Sequence, residues 1–347
     1  MSIPHLPQNS ILFFQKSIID FFLYHARILP WRQQRSVYHT LVSEMMLQQT
    51  QVKTVIPYFE RWIQRLPSLE ILAQADEAGI LKLWEGLGYY KRARSLHEIA
   101  KTIHRQGYIP KTPDAWKQLP GIGSYTAAAI ASLAQDIPIA VVDGNVIRVL
   151  ARFWNIHRLF DHKGQALTYL LPIAEQCFDP SHHALYNEGI MELGATLCLP
   201  QNPLCLSCPL SSHCQIHIHG NAQGIPRFKV ATYQNVCKAR GILLRKDKIW
   251  LSPMNHQKHI SSLIWEFPEI SLSNCDTTKP IFTGKRTIGR THFTERFYAL
   301  ESFEKAAIPS HGQWFSLKEL NHIAMSGPHR KWLPKLQLAS FSSFKEL

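Results

Sequence analysis

Four cysteines fall within seventeen residues of this chain, Cys198, Cys205, Cys208 and Cys214, in the spacing C-x6-C-x2-C-x5-C. The other three, Cys177, Cys237 and Cys275, are scattered. Four thiols this close are joined as disulfides, shared by a metal or buried separately, and each choice constrains the fold differently. The first residues show no basic n-region and no small-residue cleavage site, so they do not read as a secretory signal. The expected compartment is the cytoplasm, where thiols stay reduced and such a quartet is a metal site. Four thiolates can hold a structural zinc or a 4Fe-4S cluster. Zinc sites usually pair two C-x2-4-C knuckles across a longer gap. One knuckle flanked by wider spacers favours iron–sulfur, so one 4Fe-4S cluster is expected.

Charge points to the partner. The chain carries 38 Lys+Arg against 25 Asp+Glu, a formal net charge of +13. Such a chain is predisposed to a polyanion, most commonly nucleic acid. Counterion release would drive that binding, which would weaken with salt. At 347 residues the chain has room for two domains. No apolar run approaches membrane-spanning length.

Residues 10 to about 217 read as successive helices. Ile11, Phe14, Ile18, Phe21 and Phe22 recur at helical spacing, as do Val55, Tyr58, Phe59 and Trp62. Leu81, Leu83 and Trp84 run into Gly86 and Gly88, a helix-stop signal. Gly220 to Pro226 reads as a linker. Beyond it, Gly241–Leu244 and Ile249–Leu251 flank Arg245-Lys246-Asp247-Lys248, a hairpin signature with a loop of intermediate length. Residues 293–301 alternate as a strand, with Phe293, Glu295 and Phe297 on one face and Thr294, Arg296 and Tyr298 on the other. Residues 330–338 read as a helix. The expectation is an all-α domain over residues 1–219 containing the cysteine loop 198–214, a linker over 220–234, and a smaller α+β domain over 235–347.

Two motifs carry chemistry. In Leu119-Pro120-Gly121-Ile122-Gly123-Ser124-Tyr125-Thr126, a G-x-G turn leads straight into a helix. Backbone N–H groups at such a helix start can hold a phosphate oxygen. In a basic chain the pattern resembles a helix-hairpin-helix, in which Gly121 and Gly123 would have a DNA-phosphate role. An ordinary helix–turn–helix connection gives the same pattern. Twenty residues on, Val142-Asp143-Gly144-Asn145-Val146 sets an acid among apolar neighbours. Asp143 is equally placed to be a helix N-cap.

A hairpin L-P-G-x-G, then an Asp in V-D-G-N-V, then C-x6-C-x2-C-x5-C resembles the endonuclease III superfamily of helix-hairpin-helix DNA glycosylases. Ser43-Glu44-Met45-Met46-Leu47-Gln48-Gln49-Thr50-Gln51 is similar to the adenine DNA glycosylases, the MutY type. Leu29-Pro30-Trp31-Arg32, Glu85-Gly86-Leu87-Gly88-Tyr89-Tyr90 and Asn187-Glu188-Gly189-Ile190-Met191-Glu192-Leu193-Gly194-Ala195 match that family as well. Glu44, Leu47, Gln48 and Gln51 would share one face of a helix.

The resemblance implies a base-excision repair enzyme. It would be a monofunctional glycosylase hydrolysing the N-glycosidic bond of adenine mispaired with 8-oxoguanine or guanine. Bifunctional members place a lysine nucleophile where this chain has Tyr125. Adenine would be flipped out of double-stranded DNA. Gln48 and Tyr89 would wedge the gap, Trp31 and Leu47 would flank the base, and Arg32 and Glu188 would meet its edge. Glu44 would be the general acid at N7, and Asp143 the ionised carboxylate that stabilises an oxocarbenium-like sugar. Tyr125 would position Asp143, Asn145 would support the same loop, and the Cys198–Cys205 loop would face phosphate. The protein would act as a DNA-associated monomer of bacterial type.

Leu263-Ile264-Trp265-Glu266-Phe267-Pro268 resembles a segment of the family's Nudix-like C-terminal domain, without the clustered carboxylates of a Nudix hydrolase. The family contacts the base opposite adenine through an F-S-H or F-T-H turn. The resemblance makes either Phe293-Thr294-Glu295 the equivalent here, with Thr294 as the contact and Glu295 an anion near DNA, or, one alignment step away, Thr291-His292-Phe293. Rival readings are a thymine-releasing mismatch glycosylase, which would lack residues 228–347, and a non-catalytic iron–sulfur DNA binder, which has no need of both Glu44 and Asp143.

Overall fold

The computed structural model describes residues 6–245, 247–256, 259–271, 279–300 and 311–336. Cys275, Lys246, Glu301 and the end of the expected 330–338 helix lie outside the described residues. Residue contacts divide the chain into two compact units, Met1–Ile63 with Thr102–Val230 and Gln64–Lys101 with Ala231–Leu347. Residues 64–101, read from sequence as part of the helical domain, thus pack with the second unit.

The first unit is helical. Along Gln8–His25 the buried positions are Ile11, Phe14, Ile18, Phe21 and Phe22, the stripe that the 3.6-residue period requires. Phe14 meets Phe153 at 4.6 Å between ring centroids. Burying a side chain of this size is worth about 1.5–3 kcal/mol. The helix His183–Thr196 lies against two neighbours at very short range. A Cβ added to Gly189 would come within 2.7 Å of the Ile18 carbonyl oxygen, and one on Gly194 within 2.6 Å of the Asn145 Cβ. Only glycine lets these backbones approach so closely.

The hairpin is formed as the sequence suggests. Thr112 caps the short helix Pro113–Lys117, and the chain turns through Gly121 at φ 80° into the helix Ser124–Ala134. Left-handed backbone at that point calls for glycine. Ala127, Ala128, Ala129 and Ala131 are buried along this helix, and their small side chains allow tight packing.

The second unit is built on a seven-stranded mixed sheet. The long strands Gln234–Arg245 and Thr291–Leu300 run parallel, and Phe282–Ile288 pairs antiparallel with the latter. Gln234–Arg245 and Lys248–His256 are paired up to Arg245 and Lys248, so the hairpin turn is tighter than the four-residue loop expected. Parallel pairing of Ile264 and Trp265 with Ala324 and Met325 extends the sheet. Ile242, Ile249, Leu251, Phe267, Phe297 and Trp332 share the core.

Residues 64–101 join this unit through polar contacts. The Tyr90 hydroxyl donates to the Met325 carbonyl at 2.7 Å, and Arg330 Nε donates to Glu85 at 2.7 Å. The tail forms the helix Gly327–Trp332 followed by a 3-10 turn, Leu333–Leu336.

Candidate active site

A cavity of about 830 Å³ opens in the first unit. Its lining includes Trp31, Arg32, Glu44, Leu47, Gln48, Tyr125, Asp143, Asn145 and Glu188. These nine expected site residues come from five separate segments, and the fold brings them to one place.

Glu44 sits near the end of the helix Val37–Leu47, whose N-terminus is capped by Ser36. It is 6% exposed, and its Oε2 has no hydrogen-bond partner. Burial pushes its carboxyl up to about 7; the Tyr125 hydroxyl opposes this, and the charges of Asp143 and Glu188 add to it. Burial also drives the Tyr125 phenol well above its ordinary 10, so it stays neutral.

Asp143 answers to both of its sequence readings. It is the N-cap of the helix Gly144–Phe153, where Oδ1 accepts from the Asn145 and Val146 N–H groups, each at 2.8 Å. Its Oδ2 accepts from the Asn145 side-chain amide at 2.7 Å while the residue lines the cavity. Burial raises the Asp143 carboxyl, and these hydrogen bonds and Arg148 resist that rise. Arg148 donates to Asn145 Oδ1 at 2.8 Å and to the carbonyls of Gly194 and Cys198, each at 2.7 Å. That contact settles which end of the Asn145 amide faces Asp143.

An ionic network borders the cavity. Arg32 Nε donates to Glu188 at 2.8 Å and Arg32 Nη2 to Glu192 at 3.0 Å. Arg35 pairs with the other oxygen of Glu188, and Arg27 Nε meets Glu192 at 2.6 Å. Burial alone would raise Glu192, but Arg27 and Arg32 overcome it and hold the carboxyl low. Sequence reasoning missed Arg27, Arg35 and Glu192. Glu192 left a trace, four residues after Glu188 on the same helix. The arginines left none, because their partners lie more than 150 positions away.

Two expectations need correction. The helix carrying Glu44 ends at Leu47, so Gln48 and Gln51 reach the cavity from the turn after it rather than from a shared helical face. Gln48 is the C-cap and Gln49 takes φ 58°. Glu295 is not a surface anion: its side chain is 0% exposed. It accepts from Arg240 Nε and His329 Nε2 at 2.8 Å each and pairs with Arg286 at 2.5 Å. Burial would raise its carboxyl, but these partners hold it down at about 2.

The remaining site residues lie elsewhere. Tyr89 and Thr294 belong to the second unit and do not line the cavity. Tyr89 is 48% exposed with φ 49°, a conformation that non-glycine residues seldom adopt. Thr294 is half-buried on its strand. Gly121 and Gly123 are exposed at the hairpin turn. A Cβ on Gly123 would meet no protein atom within 4 Å, so protein packing is not what reserves that space.

None of the four clustered cysteines is joined in a disulfide, and three of them, Cys198, Cys208 and Cys214, pack on the core of the first unit. Burial pushes the Cys208 thiol up to about 12 and raises Cys205 and Cys214, with the neighbouring cysteines adding to each rise. Arg152, itself buried, donates to Cys198 Sγ at 3.4 Å. Such a donor set suits a cationic group that would keep the thiolates charged. Among the described residues, no three His, Cys, Asp or Glu form a ready single-ion site. The Leu199–Leu204 loop has no Lys or Arg, so its phosphate role would rest on backbone N–H groups.

Known proteins resemble this chain in sequence and in fold. Residues 42–171 match the HhH-GPD superfamily of base excision DNA repair proteins. A thermostable thymine-DNA glycosylase superposes with TM-score 0.53 at 27% identity, covering 60% of this chain and 97% of that one. An endonuclease III in a non-covalent DNA complex also superposes with TM-score 0.53, at 19% identity over 62% of this chain and 98% of that one, and shares the fold. The adenine DNA glycosylase of Rattus norvegicus is 44% identical over 59% of this chain, a match spanning 42% of that protein's length. The adenine DNA glycosylase of Buchnera aphidicola subsp. Schizaphis graminum is 32% identical over 93% of this chain and 99% of its own. The chain therefore belongs to the adenine DNA glycosylase family.

Proposed function

We propose that this protein is a monofunctional DNA glycosylase that hydrolyses the N-glycosidic bond of adenine mispaired with 8-oxoguanine or guanine. The observation that carries the reading is the buried Glu44 carboxyl, one oxygen of it unpartnered, poised near pH 7 in the same cavity as Asp143. Adenine leaves poorly as an anion. A protonated Glu44 donates to N7 and makes it a better leaving group. Asp143, held by three N–H donors, faces the cationic sugar that develops. Tyr125, a neutral phenol, supports both carboxyls and supplies no amine for strand cleavage. Trp31 and Leu47 flank the flipped base, and Glu188, fixed by two guanidiniums, accepts from its amino group.

The hairpin at Gly121 and Gly123 grips phosphate, Gln48 and Tyr89 fill the vacated stack, and the Nudix-like second unit reads the opposite base. Thr294 is the contact there, and the burial of Glu295 keeps its negative charge off that surface. Cys198, Cys205, Cys208 and Cys214 would hold a 4Fe-4S cluster that orders the surrounding loop. Visible absorbance lost on Cys205→Ser would separate iron from zinc.

The likeness to a thymine-DNA glycosylase supports a second reading, thymine release from G:T. Thymine offers no ring-nitrogen lone pair for the Glu44 proton, so the donor favours a purine. Single-turnover release from A:8-oxoguanine, A:G and T:G duplexes, with and without alkali, tests both. Adenine release with nicking only after alkali is expected. Thymine release would overturn the substrate, and nicking without alkali would overturn the monofunctional assignment.

A further inference from the structure

The segment 136–143 has no helix or strand of its own, yet it delivers Asp143 to the cavity. Buried backbone without a ladder needs side-chain partners. Asn187 provides them. Its Oδ1 accepts from the Val141 N–H at 3.0 Å, and its Nδ2 donates to the Ile139 carbonyl at 2.9 Å and to Ser132 Oγ at 2.8 Å. Asn187 is 0% exposed, and both ends of its amide are committed.

The chain of bonds continues. Because Ser132 Oγ already accepts from Asn187, its proton is free for His183 Nδ1 at 3.1 Å. His183 Nε2 then donates to Asp136 at 3.0 Å, where the backbone turns with φ 59°. The helix His183–Thr196 thus grips the segment at its start through His183 and near its end through Asn187. The residue after Asn187 is Glu188, which faces the cavity.

We propose that Asn187 is a positioning residue that sets where Asp143 stands, an inference that rests on the glycosylase reading above. Only Val142 separates Val141 from Asp143, so the clamp leaves Asp143 little freedom to move from its N–H donors. Misplacing a catalytic group by about 1 Å can cost roughly 100-fold in rate.

The test compares Asn187→Leu, Asn187→Asp and Ser132→Ala with the unaltered full-length protein. The readouts are single-turnover adenine release per active site, duplex affinity and the pH–rate profile. Asn187→Leu should slow release about 100-fold with affinity within about threefold. Asn187→Asp, which keeps the acceptor and loses both donors, should fall between it and wild type, and Ser132→Ala should lose several-fold. The acid limb should also move to higher pH, because a shifted Asp143 loses its N–H donors while still facing Glu44, Tyr125 and Arg148. A purely structural role would lower the active fraction and leave that limb in place.

A per-site rate within threefold of wild type for Asn187→Leu, with the limb unmoved, overturns the proposal. If that variant does not fold, an unmoved rate and limb in Ser132→Ala and Asn187→Asp overturn it equally. No release by the unaltered protein defeats the glycosylase reading itself.

Discussion

Both units bury charge, and they do so to opposite ends. In the second unit, Glu295 and Glu266 meet Arg240 and Arg286, charges that cancel, and His329 adds a hydrogen bond. Glu295 is held at about 2 and Glu266 pairs with Arg240 at 3.1 Å, so the cluster ties strands to the tail helix. In the first unit, Glu188 and Glu192 are matched by Arg27, Arg32 and Arg35, but at Glu44 burial outweighs the Tyr125 hydrogen bond and the charge of Arg32, and it sits at about 7. The lesson is that burial makes a carboxyl chemically useful only where compensation is withheld.

The sharpest way to break this contrast is Glu44→Gln. Base release should fall about 10³- to 10⁴-fold, read by single-turnover kinetics with duplex binding retained. The same variant should be more stable than wild type in alkali. Glu44 binds a proton more tightly folded than unfolded, so wild-type stability declines as pH rises from about 4.5 through about 7. The difference should approach roughly 3 kcal/mol at pH 9 in denaturant melts.

Glu295→Gln should do the reverse. It leaves Glu266 as the one carboxylate facing the two buried guanidiniums of Arg240 and Arg286, and should cost about 3–5 kcal/mol of stability in the second unit. Because the folded Glu295 carboxyl is depressed, its contribution is complete above about 4.5 and disappears as pH falls toward about 2, so the two proteins should converge in acid.

A smaller effect is the alkaline limb of the wild-type pH–rate profile. Release should decline by about tenfold per pH unit above about 7 as Glu44 loses its proton. A limb set by a group titrating well above 9 would remove Glu44 from the acid role. Smallest of all should be Gly123→Ala. With no protein atom within 4 Å it should leave the melting temperature unchanged and weaken duplex binding several-fold.

How much of this was legible in the sequence follows the same division. Glu44, Asp143, Tyr125 and Glu188 stand in compact motifs, so their convergence could be expected before any coordinates. Leu81, Leu83 and Trp84 running into Gly86 marked one helix within residues 64–101, but such a pattern says where a helix stops and not what it packs against. The partners of this segment, Met325 and Arg330, are more than 200 positions away. Glu295 was misread for a related reason: strand alternation placed it on the Phe297 face, and only the tertiary arrangement supplies Arg240, Arg286 and His329. Asn187 was visible in its motif, while its work is done on backbone 46 and 48 positions distant, which no local pattern reports.

The helix His183–Thr196 closes on its neighbours from several directions. Gly189 abuts a carbonyl, Gly194 abuts Asn145, Asn187 clamps a connector, and Glu188 and Glu192 bind three arginines. For inheritance this means a stretch with no room to drift. A methyl group added at either glycine pushes on backbone or on Asn145, and a group trimmed at Asn187, Glu188 or Glu192 strands a buried partner. Variation that the chain tolerates should accumulate elsewhere, on the solvent-facing turns of the same molecule.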